Sequence, residues 1–501
     1  MNQNLASGNV GPLKPESLRR SLTLSIKDGF FASVYATLTG GVFLTGFALS
    51  IGANELHIGI IAAIPLLGNL FQFIGAYLVN RRGQRKPISV TAATFARSIW
   101  ILIILLPFSF NWYASQFIII IFLVLIAIAH LFGAISGVAW LSWISDLVPE
   151  NIRGRYFGKR NMIIGSAVLV FTILGGKFLD YFDDNLIGFQ ILFFVAVIAG
   201  AISLKFLDEI PETKSEPSIK SKNYFQTLSL PIQDHNFRLL LLYSMVWSFS
   251  VNIAGPFFVV YKLKELQLSY TYVAFLISAT SFFDLLGMRF WGHFSDKVGN
   301  RPVMLMCAII ASILPFGWLL TSNNAFSLFF LFPLLHLMGG FFWAGKNLAS
   351  VNLLFRLAPQ EEKAVYFSTY SSVNGVFAAI ASLGGGVLGL LMVEENLNFL
   401  FINIAGLKIV FLVSGLMRCA AIPLLRQVHE PKGMSFEQAI RVLRSIRSIN
   451  STQGFNPFLH FFTHSIRKSK SFVDNQIDIA DYSWKDFWTK FKDALSRRVK
   501  T

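Results

Sequence analysis

Twelve long runs of apolar residues, almost free of charge, dominate this sequence. Their approximate bounds are 29–53, 56–79, 88–110, 114–142, 161–182 and 185–204, then 239–261, 268–292, 302–321, 326–350, 364–393 and 407–425. A helix needs about 20 residues to cross the hydrocarbon of a bilayer. In hydrocarbon the backbone must satisfy its own hydrogen bonds, so such a chain is restricted to a bundle of spanning helices. Composition agrees: 54% of the residues are hydrophobic, only 14% are charged, and 51 are Phe. No soluble core buries that much apolar surface, which excludes a soluble enzyme, a disordered chain and a secreted disulfide scaffold. The uncharged stretch 302–345 is too long for one helix, and Ser322-Asn323-Asn324 is the turn signal that splits it. The expectation is an all-α integral membrane protein of twelve transmembrane helices. It divides into a polar N-terminal segment 1–28, a six-helix bundle 29–206, a linker 207–238, a second six-helix bundle 239–426 and a basic tail 427–501.

Charge placement gives the orientation. With both ends on one side, 35 of the 43 Lys and Arg fall on the side of the termini, four on the other side (Lys177, Lys262, Lys264, Lys408) and four inside spans (Arg97, Arg289, Lys346, Arg418). The positive-inside rule then predicts an integral plasma (inner) membrane protein with both termini cytosolic. The net charge of +16 becomes an orientation signal spread over short loops, and no nucleic-acid partner is expected. Cys307 and Cys419 fall inside apolar runs with no metal-ligand spacing nearby. They read as small core residues, and no metal or cofactor is expected.

The two halves of the chain match each other. At a shift of 210, Pro149, Arg153, Tyr156, Phe157, Gly165, Gly175 and Gly176 meet Pro359, Lys363, Tyr366, Phe367, Gly375, Gly385 and Gly386. Nearby, Asn80-Arg81-Arg82-Gly83-Gln84-Arg85 meets Asp296-Lys297-Val298-Gly299-Asn300-Arg301, and His130 meets His336. Two related six-helix halves imply pseudo-symmetric bundles about a central cavity.

The connection between the eighth and ninth runs reads Gly292-His293-Phe294-Ser295-Asp296-Lys297-Val298-Gly299-Asn300-Arg301. It resembles the signature loop of the major facilitator superfamily, a glycine, then an acid with a basic neighbour, then a glycine and a second basic residue. Gly299 suits a tight turn, Asp296 can accept from the first amides of the next helix, and Arg289 braces the loop. The first-half copy departs from the pattern at Ala76 and Asn80. The loop at Asp146, Pro149, Arg153 and Gly154 is also similar to the family. The resemblance implies a transporter fold whose first, fourth, seventh and tenth spans line the cavity. The arginine motif of proton antiporters and the glycine-proline motif of drug exporters are not found in the sequence.

Polar residues inside spans are costly, about 2.5–3.5 kcal/mol for a charge near the bilayer centre. Asp284, eight residues before Gly292, is expected to be a coupling site or the ion-pair partner of Lys346. Lys346 has the alternative of touching an anionic substrate. Arg97 and Arg418 read as structural. Tyr35, Thr39, His130, Tyr243, Trp247, Asn252, His336 and Trp343 are candidates to line the cavity, with packing between helices as the plain alternative. Gly40-Gly41 and Gly255-Pro256 mark kinks.

In the tail, Ser435 and Gln438 form a capping box before the apolar face Phe436, Ala439, Ile440, Leu443, Ile446. A second amphipathic stretch follows Ser483. Both are expected to lie on the anionic inner leaflet. No nucleotide-binding loop or hydrolase signature occurs, so the chain reads as a secondary transporter rather than an enzyme. Its substrate would be a small organic solute, anionic or amphiphilic given the excess of cations inside the spans. An ion or solute gradient would drive it, with a coupling ion as a further partner. An assembly or pigment-delivery factor of the same fold, without a transport cycle, is the alternative.

Overall fold

A computed structural model describes residues 15–68, 71–109, 115–182, 186–212, 230–360, 362–392, 395–399, 402–431 and 433–451. Most of them form a unit that ends at Gly433, and a smaller unit begins at Met434.

Spans 3 to 6 are single helices, Lys86–Ser109, Ser115–Leu147, Glu150–Tyr181 and Leu186–Asp208. Spans 8, 9, 11 and 12 are Tyr270–Val298, Asn300–Leu319, Lys363–Leu391 and Leu407–Gln427. In the other spans the described residues form more than one segment. Span 1 is Pro15–Leu38 and Gly41–Ser50, parted at Gly40-Gly41. Span 2 is Glu55–Gly68 and Gln72–Arg82. Span 7 runs from His235–Asn252 through Phe257–Val260 to the π-helical turn Tyr261–Glu265, parted at Gly255-Pro256. Span 10 opens with a π-helical turn, Ser327–Leu331, and continues as Phe332–Leu357. Eleven of the twelve are long and apolar enough to cross a membrane in one window, and span 2 supplies only the shorter apolar helix Glu55–Gly68. The turn between spans 9 and 10 forms where Ser322-Asn323-Asn324 required it: the Asn324 side chain accepts from the Ser327 amide at 2.7 Å.

The starts of spans 1 and 5 and one connection differ from the sequence expectation. The first helix starts at Pro15, so Asp28 lies inside it and is 3% exposed. Span 5 starts at Glu150, eleven residues early, because a charged first stretch extends beyond the apolar run. Between spans 11 and 12 the strands Asn396–Phe399 and Ile402–Ala405 pair as an antiparallel hairpin, a short addition to an otherwise helical molecule.

Aromatic packing fills the interior. Phe47 meets Phe122, Phe189 and Phe193 edge-on in the first half. Trp318 meets Phe258, Phe332 and Phe411 in the second. Such pairs contribute about 0.5–1.5 kcal/mol each beyond burial.

The halves cross where span 2 meets span 11 and where span 5 meets span 8. A Cβ on Gly59 would lie 2.5 Å from the Ser382 carbonyl, so only glycine allows that approach. The repeat pairs Gly176 with Gly386, and each sits at one of these crossings. At the face away from the termini, Lys264 Nζ bonds Glu55 Oε1 at 2.6 Å from one half to the other. Asp180 there caps span 8 by accepting from the Tyr270 and Thr271 amides at 2.7 and 2.8 Å. At the face of the termini, the ion pairs among the described residues stay within one half. The structure is thus closed at the face opposite the termini.

Each half also carries an acidic clamp at the face of the termini. Glu212, after span 6, accepts from the Arg85 amide at 2.8 Å at the start of span 3. Glu430, after span 12, accepts from the Asn300 and Arg301 amides at 3.1 and 2.6 Å at the start of span 9. Arg356 completes the second clamp at 2.6 Å from Glu430, and Arg85 pairs with Asp146 in the first half.

Candidate functional site

A cavity of about 340 Å3 opens within the second half. Its lining comes from the first stretch of span 7, the second half of span 10 and the start of span 11. Trp247, Asn252, Trp343 and Lys346 line it, together with Ser244, Ser350, Tyr370 and Asn374. Ser350 and Tyr370 hydroxyls meet at 2.9 Å, and the Asn252 and Asn374 amides each bond a carbonyl one turn back. This holds the polar groups in place around one cation.

That cation is Lys346, 8% exposed. Its ammonium stands 5.3 Å from the Trp247 ring centroid and 6.0 Å from that of Trp343. Arg418, 3% exposed, lies 5.7 Å from the other side of Trp343 and donates to the Ala311 carbonyl at 3.0 Å. Among the described residues no ion pair includes Lys346 or Arg418. Ring faces recover about 0.5–2 kcal/mol for a cation, while burying an ion costs several. An anion in the cavity would supply the difference. Among the described residues two further buried donors have no acceptor, the indole N–H of Trp247 in the lining and the hydroxyl of Tyr243 outside it. Each such group costs about 1–3 kcal/mol.

Several expectations are redirected. Asp284 does not pair with Lys346. The helix runs from Tyr270 to Val298, so Asp284 is at its midpoint. A Cβ on Gly340 would lie 3.1 Å from the Asp284 amide, so Gly340 is its neighbour on span 10. Lys346 is six residues further on, about 9 Å along the helix. Asp284 is half-buried and, among the described residues, has no hydrogen bond or ion pair. Tyr35 packs under Arg97 at 5.6 Å and Thr39 donates to the Tyr35 carbonyl at 2.7 Å, both outside the cavity lining. Tyr243 is fully buried behind Trp247, their rings stacked at 5.7 Å. His130 lies beside Gly68 of span 2, away from the lining. His336 contacts Thr280 and Lys262 instead of the cavity.

In the signature loop, Gly299 has φ of +98°, the left-handed region that favours glycine. Gly292 faces Leu348. Asp296 and Lys297 are exposed and, among the described residues, unpaired; the amides of span 9 are held by Glu430 rather than Asp296. Arg301 bonds the Arg426 carbonyl. Arg289 is exposed and its carbonyl meets the His293 ring at 3.0 Å. Cys307 is buried as expected, whereas Cys419 is exposed.

Two groups escaped the sequence reading. Asp28 is a second carboxylate within the spans: it accepts from Ser203 Oγ at 2.5 Å, and Arg97 donates to Ser203 at 3.1 Å and to the Gly200 carbonyl at 2.7 Å. Asp28 sits one residue before the apolar run, where the lack of hydropathy hid it. Lys262, assigned to a loop, is 1% exposed inside span 7.

The model of the Major Facilitator Superfamily matches residues 29–382 and 240–472. The chain belongs to that superfamily. It is therefore an integral membrane transport protein and not an enzyme. An uncharacterized MFS-type transporter of Methanocaldococcus jannaschii is 22% identical over 73% of this chain and 88% of its own length. The hexose-6-phosphate:phosphate antiporter of Salmonella typhimurium is 24% identical over 42% of this chain, and the match spans half the antiporter's length. Among solved structures, the nucleoside transporter NupG superposes with a TM-score of 0.61 at 13% identity, over 82% of this chain and 99% of that one. The xylose transporter XylE from E. coli, in an inward open conformation, superposes with a TM-score of 0.59 at 16% identity, over 84% and 98%. These likenesses show the superfamily fold.

Proposed function

We propose that this protein is a secondary transporter that carries a small organic anion by alternating access, using the gradient of an ion or of a second solute. The observation that carries it is Lys346, a buried cation in the cavity with two tryptophan faces but, among the described residues, no carboxylate. The polar set around it, Ser350, Tyr370, Asn252 and Asn374, suits the hydroxyls of a polar body attached to the anion. The likeness to a sugar-phosphate antiporter points the same way. Asp284, alone at mid-span, is the coupling carboxylate on this view. Rocking of the halves about the crossings of spans 2 with 11 and 5 with 8 would expose the cavity to each side in turn. The crowd of basic residues at the face of the termini supports a plasma-membrane orientation with that face in the cytosol. The basic helix Phe436–Ser451 would then rest on the anionic inner leaflet.

Counterflow in proteoliposomes of the full chain tests this. Radiolabelled hexose 6-phosphates, inorganic phosphate and carboxylic acids are the first probes, with neutral sugars and nucleosides as controls. At least one anion should exchange, and Lys346→Gln should weaken its apparent affinity about tenfold, the 1.4 kcal/mol of one modest charged contact. Neutral solutes carried equally by both proteins would overturn the anion assignment. Asp284→Asn should abolish accumulation against a gradient and leave exchange intact; unchanged accumulation would remove Asp284 from the coupling role.

A further inference from the structure

Near the closed face, inside the second half, four side chains from four spans meet. Lys262 of span 7 is 1% exposed. Its Nζ is 3.4 Å from Nε2 of His336 on span 10. The other ring nitrogen, Nδ1, is 2.7 Å from Oγ1 of Thr280 on span 8. Thr280 in turn donates to the Leu276 carbonyl at 3.0 Å. Trp318 of span 9 lies against both basic groups, its ring 5.6 Å from Lys262 Nζ and 5.6 Å from the imidazole.

The direction of this chain is fixed. The Lys262 ammonium has only protons to offer, so Nε2 of His336 accepts and the ring proton sits on Nδ1; the Thr280 oxygen accepts that proton and keeps its own for the Leu276 carbonyl. The imidazole is thereby held with the proton on Nδ1 and the lone pair of Nε2 facing Lys262. That lone pair accepts from the ammonium. A proton added at Nε2 would point at the ammonium, and two cations in contact in a dry site repel strongly. While the two groups stay in contact, the added proton is therefore kept only if Lys262 gives one up, leaving a neutral amine that accepts from Nε2–H. One ionising proton has two seats and no third group to share it. The other titratable groups on the packed elements are engaged or apart. Tyr261 donates to the Thr321 carbonyl, Glu265 accepts from the Leu407 amide, and Glu55 and Lys264 pair with each other. Lys408 lies at the start of span 12, and Asp284 is one turn from Thr280.

We propose that Lys262 and His336, with Thr280 fixing the imidazole, form a carboxylate-free proton-binding site whose occupancy controls opening of the face opposite the termini. Lys262 shares its π-helical turn with Lys264, the residue that ties the halves together at that face. A second proton on the pair drives the Lys262 ammonium away from the imidazole and shifts that turn. The control of opening rests on the alternating-access function proposed above; proton binding by the pair does not.

Two measurements on the full chain in nanodiscs test the proposal without a substrate. The first is a pH titration by NMR of ring-15N histidine, with His336 assigned by its loss in His336→Gln. His336 should be the Nδ1–H form at about pH 8 and should resist protonation. In Lys262→Met it should protonate at least one pH unit higher, a tenfold gain in proton affinity. Thr280→Val, which keeps the shape, should release the tautomer once Lys262→Met has also removed the ammonium. Identical titrations in wild type and Lys262→Met, or an unchanged tautomer when Thr280→Val is added to Lys262→Met, would overturn the site. The second is the spin-label distance between Tyr181→Cys and Phe326→Cys in a background without Cys307 and Cys419, since both positions are exposed near that face. With Asp284→Asn also present, the distance should still change between about pH 5 and about pH 8. It should stop changing when Lys262→Met is added. A response that persists would overturn the control of opening, while failure of the anion assays would leave both readouts standing.

Discussion

At the residue scale, buried charge in this chain is handled in two ways. Where structure is the purpose, a buried charge gathers several partners. Glu430, 4% exposed, takes two backbone amides, the Asn300 side chain and Arg356. At Lys346, which we propose for binding, the charge has no carboxylate partner among the described residues. The contrast makes a prediction about the signature loop. Glu430→Gln should destabilise the full chain in detergent by about 1–3 kcal/mol, since buried amides lose a charged acceptor. Asp296→Asn should leave the melting temperature unchanged, because Asp296 is exposed and, among the described residues, unpaired. A larger drop for Asp296→Asn would mean that the loop's own acid, and not Glu430, holds the start of span 9. The sequence motif pointed to Asp296 because acid and helix start are close in the chain. The residue that does the capping arrives 130 positions later, a separation no local pattern reports.

At the element scale, hydropathy and glycine carried most of the fold. The runs locate all twelve spans, and Gly40-Gly41 and Gly255-Pro256 locate the breaks in spans 1 and 7. Hydropathy failed where a helix begins with charge. The start of span 1 before Asp28 and that of span 5 at Glu150 lie in polar sequence that tertiary contacts keep helical. The same blindness moved Lys262 into a loop. The cavity was half legible: residues on spans 7 and 10 were found, but Tyr370 and Asn374 on span 11 carry no sequence mark that separates them from packing. The repeat did better at the interface, since it paired Gly176 with Gly386. Gly386 is within 3.0–3.2 Å, at a notional Cβ, of the backbone at Glu55, Leu56 and Gly59. Gly386→Leu should therefore part spans 2 and 11 at their closed ends. A cysteine placed at Glu55, 4% exposed in the wild type, should then react with a water-soluble maleimide several times faster than with Gly386 intact. Unchanged labelling would show that this crossing does not seal the face. The second amphipathic stretch of the tail lies outside the described residues, whereas the first is a helix whose capping box forms in both directions, at 2.9 and 3.2 Å.

At the scale of the whole molecule, alternating access as proposed above makes the balance between two open states depend on small differences, because each crossing must be made and broken in every cycle. The Lys264–Glu55 bond is the ion pair between halves among the described residues, and its lysine is 46% exposed while its carboxylate is 5% exposed. Exposure on one side keeps the pair weak, about 1 kcal/mol, which suits a latch that has to open. A pair sealed from water would resist breaking by several times that. Glu55→Gln should remove most of this term and raise the population open at the far face about fivefold, the ratio that 1 kcal/mol sets at room temperature. Lys264→Glu adds repulsion with Glu55 and should raise it further, and the pair Glu55→Lys with Lys264→Glu should bring it back. The distance between spin labels at positions 181 and 326 reads all four proteins at one pH. Equal distributions across the set would mean that the glycine crossings alone hold the face closed. The proton pair beneath the latch would then have to act through the backbone of span 7 rather than through Lys264.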